Sequence, residues 1–336
     1  MRAVLLRGKG GFEMLDVRDD VPVPLAGTGE VLIRVAAAGV NNTDINTRNA
    51  WYAKGVDDTS IGWSGDVSKF PRIQGADACG QVVAIGADVD PRRLGERVLV
   101  EPVFRLDGRV VYFGSECDGA FAEFASVPSV HAHRIRCALT DVELASFPCS
   151  WSAAENMVER VGVAADDVVL VTGASGGVGS AAVQLARRRG ARVIALAAED
   201  KAAQLRALGA DEVLSRSDDL AEALGRDAVD RIIDVVGGDR WGSLLDVLRP
   251  FGRYAVAGAI AGPVVSLDLR TMYLKDLSLF GCTVLGAQVF HDLVGYIERG
   301  EVVPVVARTY PLEEIVAAQQ AFLGKGHVGK IVLAIT

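Results

Sequence analysis

Long hydrophobic runs are missing from the 336 residues: no apolar stretch approaches the ~20 residues a membrane-spanning helix requires. The opening MRAVLLRGKGGFEML lacks the apolar core and small-residue cleavage site of a secretory signal. No membrane partner is expected, and a cytoplasmic location is. Cysteine is scarce. Cys79, Cys117, Cys137, Cys149 and Cys282 are odd in number, scattered and free of any C-x-x-C pair, which excludes a disulfide framework and a Cys-rich zinc knuckle. Positive charge is in deficit, with 35 Lys and Arg against 43 Asp and Glu. Phosphate-backbone binding needs clustered basic side chains, so no nucleic-acid partner is implied. No fixed-period repeat of the solenoid type is present.

What is present is ordinary globular composition, 50% apolar and 23% charged, which rules out disorder and collagen-like classes. The length favours two domains. The first half carries short β-branched runs, VLIRVAAAGV (31–40), CGQVVAIG (79–86) and ERVLVEPVF (96–104), between Gly, Pro and Asp clusters, which predicts an antiparallel or barrel-like domain. From about Asp141 strands alternate with helical periods, which predicts a doubly wound parallel sheet. The strands are 167–173, 191–197, 211–214, 229–238 and 253–258, with helices over 179–190, 199–209 and 241–252. Helices over 290–300 and 312–326 and a strand over 329–336 follow, and they can close back onto the first domain.

The strongest local signal is Thr172-Gly173-Ala174-Ser175-Gly176-Gly177-Val178-Gly179, placed after an apolar strand and opening a helix. Read from Ala174 it is A-x-G-x-x-G, a dinucleotide fingerprint with Ala at the first position. Gly176 permits close approach of a pyrophosphate, Gly179 permits close helix packing, and the helix start offers free N–H groups. The choice of dinucleotide is made about 20 residues on, where an acid would bind the ribose of NAD. There the strand ends Ala197-Ala198, without an acid, and Lys201 follows, a combination suited to the 2′-phosphate of NADPH. Glu199 is the acid that would favour NADH instead, and a solvated helix cation is the bland reading of Lys201. Short-chain dehydrogenases share the string TGASGGVG, but 171 residues precede it here and no Tyr is followed four residues later by Lys.

The chain as a whole resembles the medium-chain dehydrogenase/reductase superfamily, on its zinc-independent, quinone oxidoreductase-like side. The segments that carry the resemblance are AAGVNNTDINTRNAWY (37–52), PRIQGADACGQVVAIG (71–86), LGERVLV (94–100), DGAFAEF (118–124), FPCSWSAAEN (147–156), the glycine-rich turn and LSLFGCTVLG (277–286). The resemblance implies an α/β protein with a GroES-like β-barrel catalytic domain, residues 1–124 and 288–336, and a Rossmann cofactor domain, residues 125–287. Zinc-dependent relatives place metal ligands where this chain has Asn41, Ala76 and Cys149, so one of three ligands survives and no zinc is expected. His131 and His133 alternate as on a strand, with no Cys or carboxylate cluster beside them to make a metal site.

By resemblance, Asn41 lies near the nicotinamide, Thr43 occupies the alcohol-binding hydroxyl position of zinc relatives, and Tyr52 matches an active-site Tyr. That Tyr52 donates to an enolate, relays a proton or only packs. Ser152 stands beside the usual nicotinamide-contacting position, and Arg216 and Lys325 join Lys201 around the 2′-phosphate. The loop between Tyr52 and Phe70, with Trp63, is a pocket wall or a surface insertion. The activity implied is NADPH-dependent hydride transfer to a small-molecule electrophile, a conjugated alkene or a quinone. A zinc alcohol dehydrogenase and a non-catalytic NADPH sensor are the rival readings. A homodimer is expected through the apolar strand 277–285, since an exposed apolar edge otherwise invites aggregation.

Overall fold

The computed structural model describes residues 1–53, 69–106 and 108–335, so Trp63 and the loop around it lie outside the described residues. The chain divides into two compact units, Met1–Cys149 with Phe290–Thr336, and Ser150–Val289. The expected boundaries at 124/125 and 287/288 are thereby displaced. At the first the reason is strand pairing. Phe124–Pro128 runs antiparallel to Glu30–Gly39, and Ala132–Arg134 antiparallel to Arg97–Val100, so the barrel strands continue past residue 124. Residues 135–149 stay with them through Ile135 N to Arg97 O and Cys149 N to the Asp77 carboxylate.

In the first unit the strand Glu30–Gly39 is central. Its odd positions Val31, Ile33, Val35 and Ala37 are buried while Arg34 is exposed, the period-2 pattern of a strand with one face on a core. One edge pairs throughout with Cys79–Ile85. The other pairs first with Phe124–Pro128 and then with Lys330–Ala334, through Val332 to Gly39 and Ala334 to Ala37. The carboxy-terminal segment therefore does return to the first domain. Lys330–Ala334 is parallel to Val306–Pro311, and helix Ile315–Leu323 makes the crossover that a parallel pair requires. Val82, Val98, Phe104, Phe121, Ile331 and Leu333 fill the interior.

The second unit is a six-stranded, wholly parallel sheet in the order Glu212–Ser215, Arg192–Ala197, Val168–Val171, Val229–Asp234, Leu248–Val256, Ser278–Gly281. This is the doubly wound order. It reverses between Val168–Val171 and Val229–Asp234, and ligands bind such sheets in the crevice at that reversal, beyond the carboxyl ends of the strands. Helix Gly177–Arg188 packs on the sheet with Gly179 through Ala186 all buried. The helix expected over 241–252 stops at Val247, and strand Leu248–Val256 begins at once. Pro250 is the cause, because it carries no backbone N–H and pushes Arg249 out of the α region.

Candidate active site

The glycine-rich turn is shaped by close backbone approach. Gly173 adopts φ +56°, and a Cβ there would meet the Val235 and Val236 methyls at 2.9 and 3.0 Å. A Cβ on Gly179 would meet Gly173 O at 2.2 Å and Ala174 Cα at 2.6 Å, so turn and helix touch backbone to backbone. Gly176 differs: a Cβ would find only Gly173 O, at 3.5 Å, which leaves its flank open to a ligand. Gly176 is also the N-cap of helix Gly177–Arg188. The N–H groups of that first turn, through Gly177, Val178 and Gly179, have no acceptor within the helix and carry the positive end of its dipole. An open glycine flank beside free amides fits a dinucleotide pyrophosphate.

The residues expected around the 2′-phosphate are partly gathered. Lys201 Nζ reaches Ser175 Oγ at 3.5 Å, so the cation does fold back to the turn. Ala197 and Ser215 are register partners, which puts Ala198 and the exposed Arg216 beyond the carboxyl ends of adjacent strands. Glu199 is exposed at the start of a short 3₁₀ turn. Ser152 is buried in helix Pro148–Val161. Lys325 belongs to the first unit, where Nζ donates to Asn42 Oδ1 at 3.2 Å and lies 3.8 Å from the Phe322 ring centroid.

In the first unit, Asn41 and Thr43 sit at the start of helix Asn42–Arg48, and Tyr52 follows its end. Asn41 is buried and almost fully committed. Its Nδ2 donates to Asp77 Oδ2 at 2.8 Å and to Gly39 O at 3.3 Å, and its Oδ1 accepts from Lys330 Nζ at 2.6 Å. An amide has two N–H bonds to give, so Asn41 has none left for a substrate. Lys330 is equally committed, donating to Val40 O at 3.0 Å and Asp77 Oδ2 at 2.8 Å as well as to Asn41. Thr43 is buried, and its Oγ1 makes no hydrogen bond of normal geometry among the described residues, although it lies close enough to the Tyr52 phenol to interact with it. The half-buried Tyr52 phenol accepts from Asn46 Nδ2 at 3.4 Å. Burial pushes its pKa up while the nearby Thr43 and Asn46 hold it back, so it is a protonated donor near neutrality. Asp44, which accepts from Asn41 N at 2.8 Å, is driven by burial to a pKa of about 7.

Among the described residues no group of three or more His, Cys, Asp or Glu is placed to hold a metal ion. Asn41, Ala76 and Cys149 are all buried, and Asn41 is in the grip of the Lys330 ammonium. Burial and the Asp77 charge push the Cys149 thiol far above its usual range, which keeps it protonated. One carboxylate, rather than a cluster, stands beside His131 and His133. Glu101 Oε2 lies 2.8 Å from His131 Nδ1 and 3.3 Å from His133 Nε2. The other nitrogen of His131 accepts from Arg105 N at 3.1 Å, so that ring is satisfied by the fold.

Lys330 and Asp77 escaped the sequence reading as site residues. The signal for Lys330 was a lone cation in the apolar run GKIVLAIT, and for Asp77 an acid in the Gly75-Ala76-Asp77 motif.

A barrel-like unit with a phenol and a buried threonine hydroxyl, and a separate dinucleotide cradle, define an oxidoreductase of the nicotinamide-dependent type. The alcohol dehydrogenase GroES-like domain family matches residues 27–136, and the zinc-binding dehydrogenase family matches residues 177–299. The chain is 29% identical over 350 residues to an acryloyl-coenzyme A reductase of Metallosphaera sedula, covering 99% of each. It is 27% identical over 349 residues to the human quinone oxidoreductase, covering 100% of this chain and 98% of that one. A solved structure from Sinorhizobium meliloti 1021, provisionally called an alcohol dehydrogenase, superposes with a TM-score of 0.94 at 46% identity, over 100% of this chain and 97% of that one. The protein belongs to the medium-chain dehydrogenase/reductase superfamily, in its quinone oxidoreductase-like branch, and is an NAD(P)H-dependent reductase of that superfamily.

Proposed function

We propose that the protein is a zinc-independent, NADPH-preferring reductase of carbon–carbon double bonds conjugated to a carbonyl, with quinones as alternative acceptors. The carrying observation is the donor inventory of the first unit: Asn41 and Lys330 are spent on the fold, while Thr43 and Tyr52 retain O–H groups. Two neutral hydroxyls are weak support for the localised alkoxide of a ketone reduction, for which a Lewis acid is the usual aid. They suffice for an enolate or a quinol anion, whose charge is delocalised. The names of the Metallosphaera and human relatives lend support from the substrate side.

When bound, the nicotinamide supplies the hydride. The amides from Gly177 to Gly179 hold the pyrophosphate, and Lys201, Ser175 and Arg216 hold the 2′-phosphate. Ser152 flanks the nicotinamide. Thr43 and Tyr52 donate to the substrate oxygen, and Tyr52 can pass its proton on as charge collects there. Zinc independence rests on the ammonium that already grips Asn41, since a divalent ion would be repelled by it. The protein is further proposed to be cytoplasmic, in keeping with five free cysteines. It is also proposed to be a homodimer through the outer edge of the six-stranded sheet.

An alcohol dehydrogenase remains the second reading, favoured by the name of the Sinorhizobium structure and by the Thr43 hydroxyl. The deciding experiment is turnover of NADPH with enones, enoyl thioesters, quinones and saturated ketones, and of NADP⁺ with primary alcohols. Alkene or quinone reduction, with a kcat lowered about tenfold or more in Tyr52→Phe, is expected for a general acid. Alcohol oxidation alone, sensitive to chelator, would defeat the proposal.

A further inference from the structure

The carboxyl ends of Val168–Val171 and Val229–Asp234 flank the crevice of the second unit, and the turns leaving them are held together by one side chain. Asp234 is fully buried. Its Oδ1 accepts from Thr172 Oγ1 at 2.5 Å, from Val236 N at 2.8 Å and from Gly237 N at 3.2 Å. Its Oδ2 accepts from the Tyr254 hydroxyl at 2.5 Å and, more distantly, from Gly237 N at 3.3 Å. Tyr254 in turn accepts from Trp241 Nε1 at 2.8 Å, and Thr172 Oγ1 accepts from Val235 N at 3.1 Å. No Lys or Arg pairs with this carboxylate among the described residues. A buried charge without a counterion is tolerable only when donors surround it, and here every donor but Tyr254 comes from the two turns.

The turn it anchors is otherwise loosely determined. Gly237 and Gly238 have φ of +62° and +79°, and the turn's further ties run to a third glycine-containing turn, through Gly238 N to Gly262 O and Ala261 N to Val236 O. On the other side Thr172 is the first residue of the phosphate turn, and Gly173 already packs against Val235 and Val236 with no room for a Cβ. A small shift of either turn therefore moves the other.

We propose that Asp234 is a positioning residue for the dinucleotide: through its bond to the Thr172 hydroxyl it holds the phosphate turn in the geometry that binds cofactor. The inference rests on this turn being the cofactor cradle and is independent of the substrate. Binding is read by NADPH fluorescence titration with no substrate present, and stability by thermal unfolding without cofactor. Asp234→Asn and Thr172→Val should each raise the NADPH Kd about tenfold, the scale of a lost hydrogen bond to a charged group. The double variant should be no weaker than the worse single one, because both act through one bond. Thr172→Ser keeps the hydroxyl and should restore wild-type affinity. Tyr254→Phe removes the donor that lies outside the two turns and should lower the Tm while leaving Kd within about threefold.

Unchanged Kd in Thr172→Val, additive losses in the double variant, or an equal loss in Tyr254→Phe would each reduce Asp234 to a core polar group and overturn the proposal. If Asp234→Asn fails to fold, the Thr172→Val and Thr172→Ser pair decides alone. Wild-type protein that binds neither NADPH nor NADH would overturn the cradle assignment as well.

Discussion

At the residue scale, the most consequential contacts of the first unit join side chains far apart in the chain. Lys330 and Asp77 are separated by 253 positions and are 3% and 0% exposed at the side chain, so removing the ammonium strands a carboxylate in the core. Breaking one half of a buried pair costs about 3–5 kcal/mol. Lys330→Met should therefore lower stability by that amount in chemical denaturation, and Asp77→Asn added to it should recover part of the loss. A Lys330→Met protein as stable as wild type would mean that the pair is solvated.

Asp44 gives a pH signature of opposite kind. Its folded pKa, about 7, lies above the ordinary carboxylate value of about 3.9. Between these values the folded state binds the extra proton, so its stability falls as pH rises from about 4 to about 7. Asp44→Asn removes that dependence. The Tm of the variant relative to wild type should rise between pH 5 and pH 8, and a constant difference would show that Asp44 does not titrate in this range. Neither effect was legible in the sequence, where Lys330 and Asp44 are single charges and their burial is set by strands and loops from elsewhere.

At the element scale the glycine-rich turn was legible because each of its requirements is local: an apolar strand, the A-x-G-x-x-G spacing, and a helix start. The structure adds a distinction that spacing cannot supply. Gly179→Ala would drive a methyl into Gly173 O and Ala174, so it should destabilise the unit and abolish cofactor binding together. Gly176→Ala meets only ordinary contact, and its φ of −75° suits any residue. It should leave the Tm within about 2 °C of wild type while raising the NADPH Kd about tenfold or more, because its methyl projects where the pyrophosphate must approach. A Tm loss equal to that of Gly179→Ala would refute the open flank. Helix 241–252 shows the converse, since its apolar period runs on through Pro250, which ends the helix three residues earlier, at Val247.

At the scale of the whole molecule, the alternation of strand and helix made the second unit readable, whereas the first unit's extent was not. The pairings that carry it past residue 124 link Ala132–Arg134 to Arg97–Val100 and Phe124–Pro128 to Glu30–Gly39, and non-local antiparallel pairing leaves no periodic trace. The apolar run 277–285 predicts one edge strand, but only Ser278–Gly281 is extended, with Leu277, Cys282 and Leu285 buried against their own chain. The strand pairs with Leu248–Val256 on one side, and among the described residues none pairs on the other. In the preceding segment Val264, Leu269, Tyr273 and Leu274 are 85%, 65%, 63% and 70% exposed, a density of exposed apolar side chains that isolated surface residues do not produce. An open strand edge with such a flank is what a symmetric partner covers. Light scattering at micromolar concentration should give twice the 35.5 kDa chain mass. Leu274→Lys touches no core of the single chain and should halve that mass without lowering the NADPH affinity of the cradle. A wild-type mass of 35.5 kDa would sink the dimer, and a Leu274→Lys protein that stays dimeric would move the interface elsewhere.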